Sequence, residues 1–327
     1  MASEFQSVLS DEEKNKLLQI LEQQGQEKWF KRWREHMAFP NNLNPLSTDR
    51  NEQEKVLRYL LLRVLINQQA RFEKVRELSI KIADEFGEAL FFEPYRISEF
   101  ELFKVFKNVA GAKGSLLYKV GSLGGIKPIS LFAYRFKAYE GFIKWLNIKQ
   151  QSFFDLIFNQ LQEKGTQGLF NFLNQNSSLE VGWVGNDPKA CRMFVNWAVF
   201  LFNEIWEQNI SKMEDTLMIV DGHVAKVFAR TGLLNKVFYE KQRPYIIQAS
   251  RMRQIIEEIV AQSRRIPFYV DNGAFYIFED NFCTDLNPNC KNCPINKLCK
   301  KHKKWTAYKI WKETKGFNDD RNLSRPV

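Results

Sequence analysis

Histidine is scarce: His36, His223 and His302 are the only three, and they lie far apart. A hydrolytic metal centre built from clustered imidazoles is therefore not expected. Long apolar runs are also missing, none reaching the roughly 18 residues needed to cross a bilayer. The opening Met-Ala-Ser-Glu is polar and runs into a helical pattern rather than a secretory leader. Neither secretion nor membrane insertion is expected, which leaves the cytoplasm (with its nucleoid) or a nucleus. No repeat with a period of roughly 20–50 residues and no low-complexity block interrupts the chain. Strand signals are nearly absent, since only PFYVDNGAFYIF (267–278) alternates in a β-like way.

What the chain does have is positive charge: 48 Lys and Arg against 38 Asp and Glu, a net +10. Such a balance suits a polyanion, nucleic acid more than a membrane, although a basic protein without such a partner has the same composition. The 28 phenylalanines suit a large core first and base stacking second. At 327 residues the chain can bury a full core, expected as two lobes.

Ser10 and Glu13 are spaced as a capping box for a short helix through Leu17, Leu18 and Leu21. The polar stretch PNNLNPLST then reads as a linker, making residues 1–50 an extension. Leu57, Leu60, Leu61, Val64 and Leu65 recur at helical spacing and predict a buried helix. Further helices are expected at 71–86, 98–109, 129–147 and 243–264, with two more in 150–175. One from Pro188 to Trp206 is apolar nearly all round, and another follows Asp221. Arg243, Arg251, Arg253 and Arg264 are expected on the outside of the 243–264 helix. The expectation is an all-α protein with a central region at 51–240 and a C-terminal segment at 241–327.

Of the five cysteines, four fall in FCTDLNPNCKNCPINKLCKKH: Cys283, Cys290, Cys293 and Cys299, spaced C-x6-C-x2-C-x5-C. Together with the odd total, this clustering points to a reducing compartment. Soft thiolates suit iron–sulfur clusters or zinc. Structural zinc sites usually pair two short knuckles distant in sequence. One C-x2-C between two longer loops instead wraps the chain around a bulkier group.

Two other stretches carry chemistry. In Trp183-Val184-Gly185-Asn186-Asp187-Pro188-Lys189-Ala190, Asp187 is suited to an N-cap and Pro188 to the first helical position. The helix N-terminus offers an anion site, and its positive end favours a neutral, nucleophilic amine on Lys189. The same residues equally describe the start of a core helix with Lys189 in solvent. In Val220-Asp221-Gly222-His223-Val224-Ala225-Lys226-Val227, Asp221 caps a helix that faces inward through Val224, Val227 and Phe228, a commonplace structural role.

Taken in order, these stretches resemble the endonuclease III branch of the helix-hairpin-helix DNA glycosylases. The cysteine spacing matches the family's loop for a 4Fe-4S iron–sulfur cluster. The Asp221 stretch looks like its Val-Asp-Thr-His-Val-x-Arg-Val signature, in which the aspartate is catalytic. Trp183–Ala190 resembles the hairpin Leu-Pro-Gly-Val-Gly-x-Lys-Thr, placing Gly185 on its first glycine and Lys189 on the catalytic lysine. Leu65-Ile66-Asn67-Gln68-Gln69-Ala70 resembles the stretch whose glutamine fills the gap left by a flipped nucleotide, here Gln69. Lys137, Ala138 and Ile143 resemble a Lys-Ala-x-x-Ile helix. The resemblance covers about residues 55–305.

There are departures. Asp187 stands where the hairpin's second glycine belongs. A rival hairpin, Leu123–Pro128, offers Lys127, but Pro128 disfavours helical geometry there, and Lys189 is preferred. Asp221 follows Lys189 at a longer interval than in endonuclease III, similar to archaeal 8-oxoguanine glycosylases.

The resemblance implies a two-lobed glycosylase fold with a C-terminal cluster loop. It implies a monomeric enzyme acting on double-stranded DNA that carries a damaged or modified base. Lys189 and Asp221 would be catalytic, with strand nicking by β-elimination. Lys291, Lys297, Lys300, Lys301, Lys303 and Lys304, with Arg251, Arg253, Arg264 and Arg265, would contact phosphates, which position DNA without reading sequence. A solvated charged tail has the same composition. A monofunctional adenine-mismatch enzyme, a non-catalytic DNA-binding relative and a zinc-stapled helical interaction module stand as alternatives.

Overall fold

Helices account for every regular element among the described residues of the computed structural model, which are all-helical as expected. The described residues are 7, 9–67, 72–110, 128–180, 182–183, 188–234, 249–284 and 288–300. In chain order the helices are α1 (Asp11–Met37), α2 (Arg50–Ile66), α3 (Phe72–Phe92), α4 (Glu99–Ala110), α5 (Pro128–Ile148) and α6 (Phe153–Gln175). They continue with α7 (Ser177–Glu180), α8 (Lys189–Phe200), α9 (Gly222–Thr231), α10 (Ala249–Gln262) and α11 (Pro267–Glu279). A π-helical turn, Leu201–Ile205, extends α8. None of the described helices is long and apolar enough to cross a membrane.

The chain forms two compact units, one from Met1–Arg32 and Met213–Leu323, the other from Trp33–Lys212. This differs from the boundaries expected at residues 50 and 240. The first helix is much longer than its leucines alone indicate. The capping box does form at its start: Ser10 N–H donates to Glu13 Oε2 at 2.9 Å and Glu13 N–H to Ser10 Oγ at 3.2 Å. Leu17, Leu18 and Leu21 are fully buried in one core with Met218, Val224, Val227, Phe228, Ile256 and Val270. A linker-like composition after residue 37 conceals this, because burial against residues two hundred positions away leaves no local mark.

In that first unit α1 crosses α11 where two glycines remove the side chains between them. A Cβ on Gly25 would strike the Tyr269 carbonyl, and one on Gly273 would strike that of Leu21. Trp29 meets Phe268 edge to face at 4.8 Å. Lys28 and Arg32 both pair with Asp280, just past the end of α11. The segment with β-like alternation is thus helix α11. Its residues are buried almost all round, so alternation carries no information there, and Pro267 supplies a helical φ at the first turn.

In the second unit α2 is central, packed by α3, α5, α6 and α8. The expected face, Leu57, Leu60, Leu61, Val64 and Leu65, is fully buried, and so are Tyr59 and Arg63 on other faces. Glu54 is buried at 6% exposure. It accepts from Ser152 Oγ at 3.0 Å and from the backbone N–H groups of Phe153 and Phe154, and it pairs with Arg58. A carboxylate from α2 therefore closes the open N-terminus of α6, where N–H groups lack intrahelical partners. Helix α6, expected as two, is interrupted at Gly165 (φ 67°).

Candidate functional site

Asp221 is set by the chain around it. The segment leading to it is fixed by side chains from two helices. Met218 N–H donates to Glu257 Oε1 on α10 at 3.2 Å, and Ile219 N–H to the buried Asp271 Oδ2 on α11 at 2.8 Å. Asp221 then caps α9, its Oδ1 accepting from His223 N–H at 2.8 Å and Val224 N–H at 2.9 Å. Its backbone is extended (φ −100°, ψ −177°), as an N-cap requires. The inward face is the expected one: Val224, Val227 and Phe228 are 0–2% exposed. Asp221 itself is half-buried.

A second face of α9 was not anticipated from sequence, although its spacing is visible there. His223, Lys226 and Arg230 recur at i, i+3 and i+7, one helical stripe. His223 stacks on Phe278 of α11 with ring centroids 3.7 Å apart and planes 17° from parallel. Lys226, only 1% exposed, holds its Nζ 4.4 Å from the same ring. An ammonium over an aromatic face is attracted by the ring quadrupole, more strongly when desolvated. Arg230 reaches the cysteine loop. Its Nη1 donates to the Cys283 and Thr284 carbonyls, both at 2.9 Å, and to Cys283 Sγ at 3.4 Å. Cys299 Sγ in turn donates to the Arg230 carbonyl at 3.4 Å. Gly232 ends the helix in the left-handed conformation (φ 88°).

The cysteine loop folds onto the core of this unit through Cys283, Cys293, Leu298 and the buried Ile295. Among the described residues no group of three or more His, Cys, Asp or Glu side chains is spaced to hold a metal ion. Cys293 nonetheless lies within electrostatic reach of Cys283, Cys290 and Cys299. Burial, then its three neighbours Cys283, Cys299 and Cys290, pushes the Cys293 thiol up to about 11, against a backbone hydrogen bond at Ile295. Cys283 is also pushed up by burial, while Arg230 and Lys226 oppose the shift. In donor type four thiols suit a soft metal or a cluster, and Arg230 and Lys226 beside Cys283 partly offset the cost of burying its thiolate.

Lys189 is the first residue of α8 and is exposed. The N-cap is Pro188, not Asp187, and it makes no side-chain cap bond. Asp187 lies outside the described residues, as do Gly185, Gln69, Lys301, Lys303, Lys304 and the rival Lys127. Lys189 belongs to the second unit, whereas Asp221 and the cysteine loop belong to the first. The structure thus brings Asp221 and the cysteines onto one framework, joined by α9.

The expected basic footprint divides. Lys291 and Lys297 are exposed. Lys300 is paired with Glu13 Oε1 at 2.7 Å, so part of its charge is already answered. Arg253 is 6% exposed, contrary to its expected outward position, because it lies on the inner face of α10 beside Ile256. Arg264 is exposed, and Arg265 bonds Glu22 at 3.0 Å. The side chains of Arg243 and Arg251 lie outside the described set.

Comparison with known protein families, with curated proteins and with solved structures finds no match for this chain.

Proposed function

We propose that this protein is a DNA glycosylase that excises a damaged or modified base from double-stranded DNA, with an associated β-elimination activity. The observation that carries the reading is α9. One end of this helix holds the aspartate of the glycosylase-like signature, and the other is bonded through Arg230 to the first and last cysteines of the cluster-like loop. Two motifs that are separate in sequence become two ends of one short rod. The all-helical architecture agrees with the helical class that the motifs imply.

In this reading the target base rotates out of the duplex, at a cost of a few kcal/mol, and Gln69 occupies the vacated space, with Gly185 in the hairpin at the phosphate backbone. Asp221, its Oδ1 held by two N–H groups at the positive end of α9, stabilises the positive charge developing on the sugar. Lys189, exposed at the start of α8, attacks C1′ as the base leaves and forms an imine with the opened sugar. Loss of the 3′-phosphate by β-elimination then nicks the strand. Lys297, Lys300 and Lys301 supply phosphate contacts. A 4Fe-4S cluster bound by Cys283, Cys290, Cys293 and Cys299 acts as a structural staple for the C-terminal segment. The enzyme works as a monomer where DNA is, in a nucleoid or a nucleus.

The test is incubation with duplex oligonucleotides that each carry one lesion, scored for abasic sites, for nicks, and for covalent trapping by borohydride. Excision with trapping is the expected result. Tight binding of every duplex with no excision would instead identify a non-catalytic relative. Excision without trapping would identify a monofunctional enzyme. Colourless protein with zinc and no iron or sulfide would remove the cluster.

A further inference from the structure

The second unit carries an aromatic and basic face for which base excision has no use. Helix α4 already has a complete inner side, with Leu102, Val105, Phe106 and Val109 buried. Yet Phe100 is 77% exposed and Phe103 43%, and Lys104 and Lys107 are exposed beside them. Positions 100, 103, 104 and 107 follow i, i+3, i+4 and i+7, so the four side chains form one outward stripe. Two phenylalanines in water, on a helix that does not need them for its core, call for a partner.

Helix α5 widens the face. Lys137 bonds Glu99 Oε1 at 2.7 Å, and Phe132 meets Phe106 at 5.0 Å between centroids. These two contacts set α5 antiparallel to α4, and that register puts Tyr134, 52% exposed, level with Phe103. Of the acidic residues near the stripe, Glu99 is answered by Lys137. Glu101 accepts from Ser98 Oγ at 2.6 Å and keeps its charge near Lys104, so Lys104 and Lys107 together leave the stripe weakly positive.

We propose that this face binds an unpaired stretch of nucleic acid. Bases stack on Phe100, Phe103 and Tyr134, and Lys104 and Lys107 meet the phosphates. Surfaces for single strands combine these two elements, because every base has a π-face and every linkage a charge. The mixture fits other partners less well. The centre of a protein interface is depleted in lysine. A helix lying on a membrane turns its broad apolar side to the lipid, and here that side is turned into the core. The inference does not depend on Lys189, Asp221 or the cysteines.

The experiment is fluorescence anisotropy of a labelled oligothymidylate, and of a blunt duplex of equal length, with the full-length protein. Phe100→Ala/Phe103→Ala is expected to weaken single-strand binding by roughly tenfold or more and to leave duplex binding unchanged. Lys104→Glu/Lys107→Glu is expected to weaken it and to reduce its salt dependence. All four positions are exposed, so both variants should keep the parent helical circular dichroism. Failure of the parent to bind the oligonucleotide overturns the proposal, as does unchanged binding in both variants. If the phenylalanine pair instead abolishes self-association on size exclusion, or binding to anionic vesicles, with oligonucleotide affinity intact, the face belongs to a second copy or to lipid and the proposal fails.

Discussion

Arg230 holds Cys283 through two atoms, its Nη1 lying 2.9 Å from the carbonyl oxygen and 3.4 Å from the sulfur. The guanidinium is 6% exposed, so its bonds replace lost water rather than add to it. Arg230→Met keeps the stem and deletes the donors, leaving the half-buried carbonyls of Cys283 and Thr284 without them. Hydrogen bonds to charged groups contribute about 1.5–3 kcal/mol each, and a loss of that order is expected in urea denaturation. If the loop holds the proposed 4Fe-4S cluster, iron and sulfide content per chain should fall as well. Arg230→Lys should recover little, because a single ammonium cannot match the planar fork. Full stability and full iron content in Arg230→Met would show that the loop does not rely on this residue.

Asp221 has two separable roles, and two substitutions divide them. Asparagine caps helices about as well as aspartate, so Asp221→Asn should keep the bonds to His223 and Val224 and melt near the parent temperature. Asp221→Ala loses the cap, at about 1 kcal/mol. If the charge acts on the sugar, both variants should lose excision by at least about a hundredfold while still binding duplex DNA. An active Asp221→Asn would take the residue out of the chemistry and leave it a cap.

Lys189 sits on the positive end of α8 with its side chain exposed. Replacing it with glutamine removes a charge that this helix end disfavours, so stability should change by less than about 0.5 kcal/mol. Borohydride trapping should vanish in Lys189→Gln. Trapping that survives would assign the imine to another amine.

The helical class was legible because apolar spacing on α2, α5 and α9 is regular over several turns. Asp221 as a cap was legible too, since N-capping is written in neighbouring residues. What stayed hidden depends on contacts distant in sequence. The residues 267–278 alternate like a strand but are enclosed on all sides as α11, so no face was left for the pattern to report. Arg253 looks like a surface charge in the sequence and is buried. The bonds that Glu257 and Asp271 make to the approach to Asp221 come from helices that carry no motif. Arg230 could have been found, since it shares a helical stripe with His223 and Lys226.

The place of the N-terminal helix yields a further prediction. Gly25 and Gly273 let α1 and α11 approach until backbone meets backbone. In Gly25→Ala the added methyl would meet the Tyr269 carbonyl and the Gly273 amide, neither of which can rotate away as a side chain could. The helices must therefore separate, which draws Trp29 off Phe268 and loosens the pairing of Lys28 and Arg32 with Asp280. Overpacking costs about 1–3 kcal/mol, and a rigid backbone neighbour places this case near the upper end. Gly273→Ala should cost a similar amount through Leu21. The two changes act on one contact, so the double variant should lose less than the sum of the singles. Deleting residues 1–32 should do more, exposing the core surface that Leu17, Leu18 and Leu21 cover and leaving the 213–300 region open to protease. A truncated chain with the parent's melting temperature and protease resistance would make the first helix a dispensable extension after all.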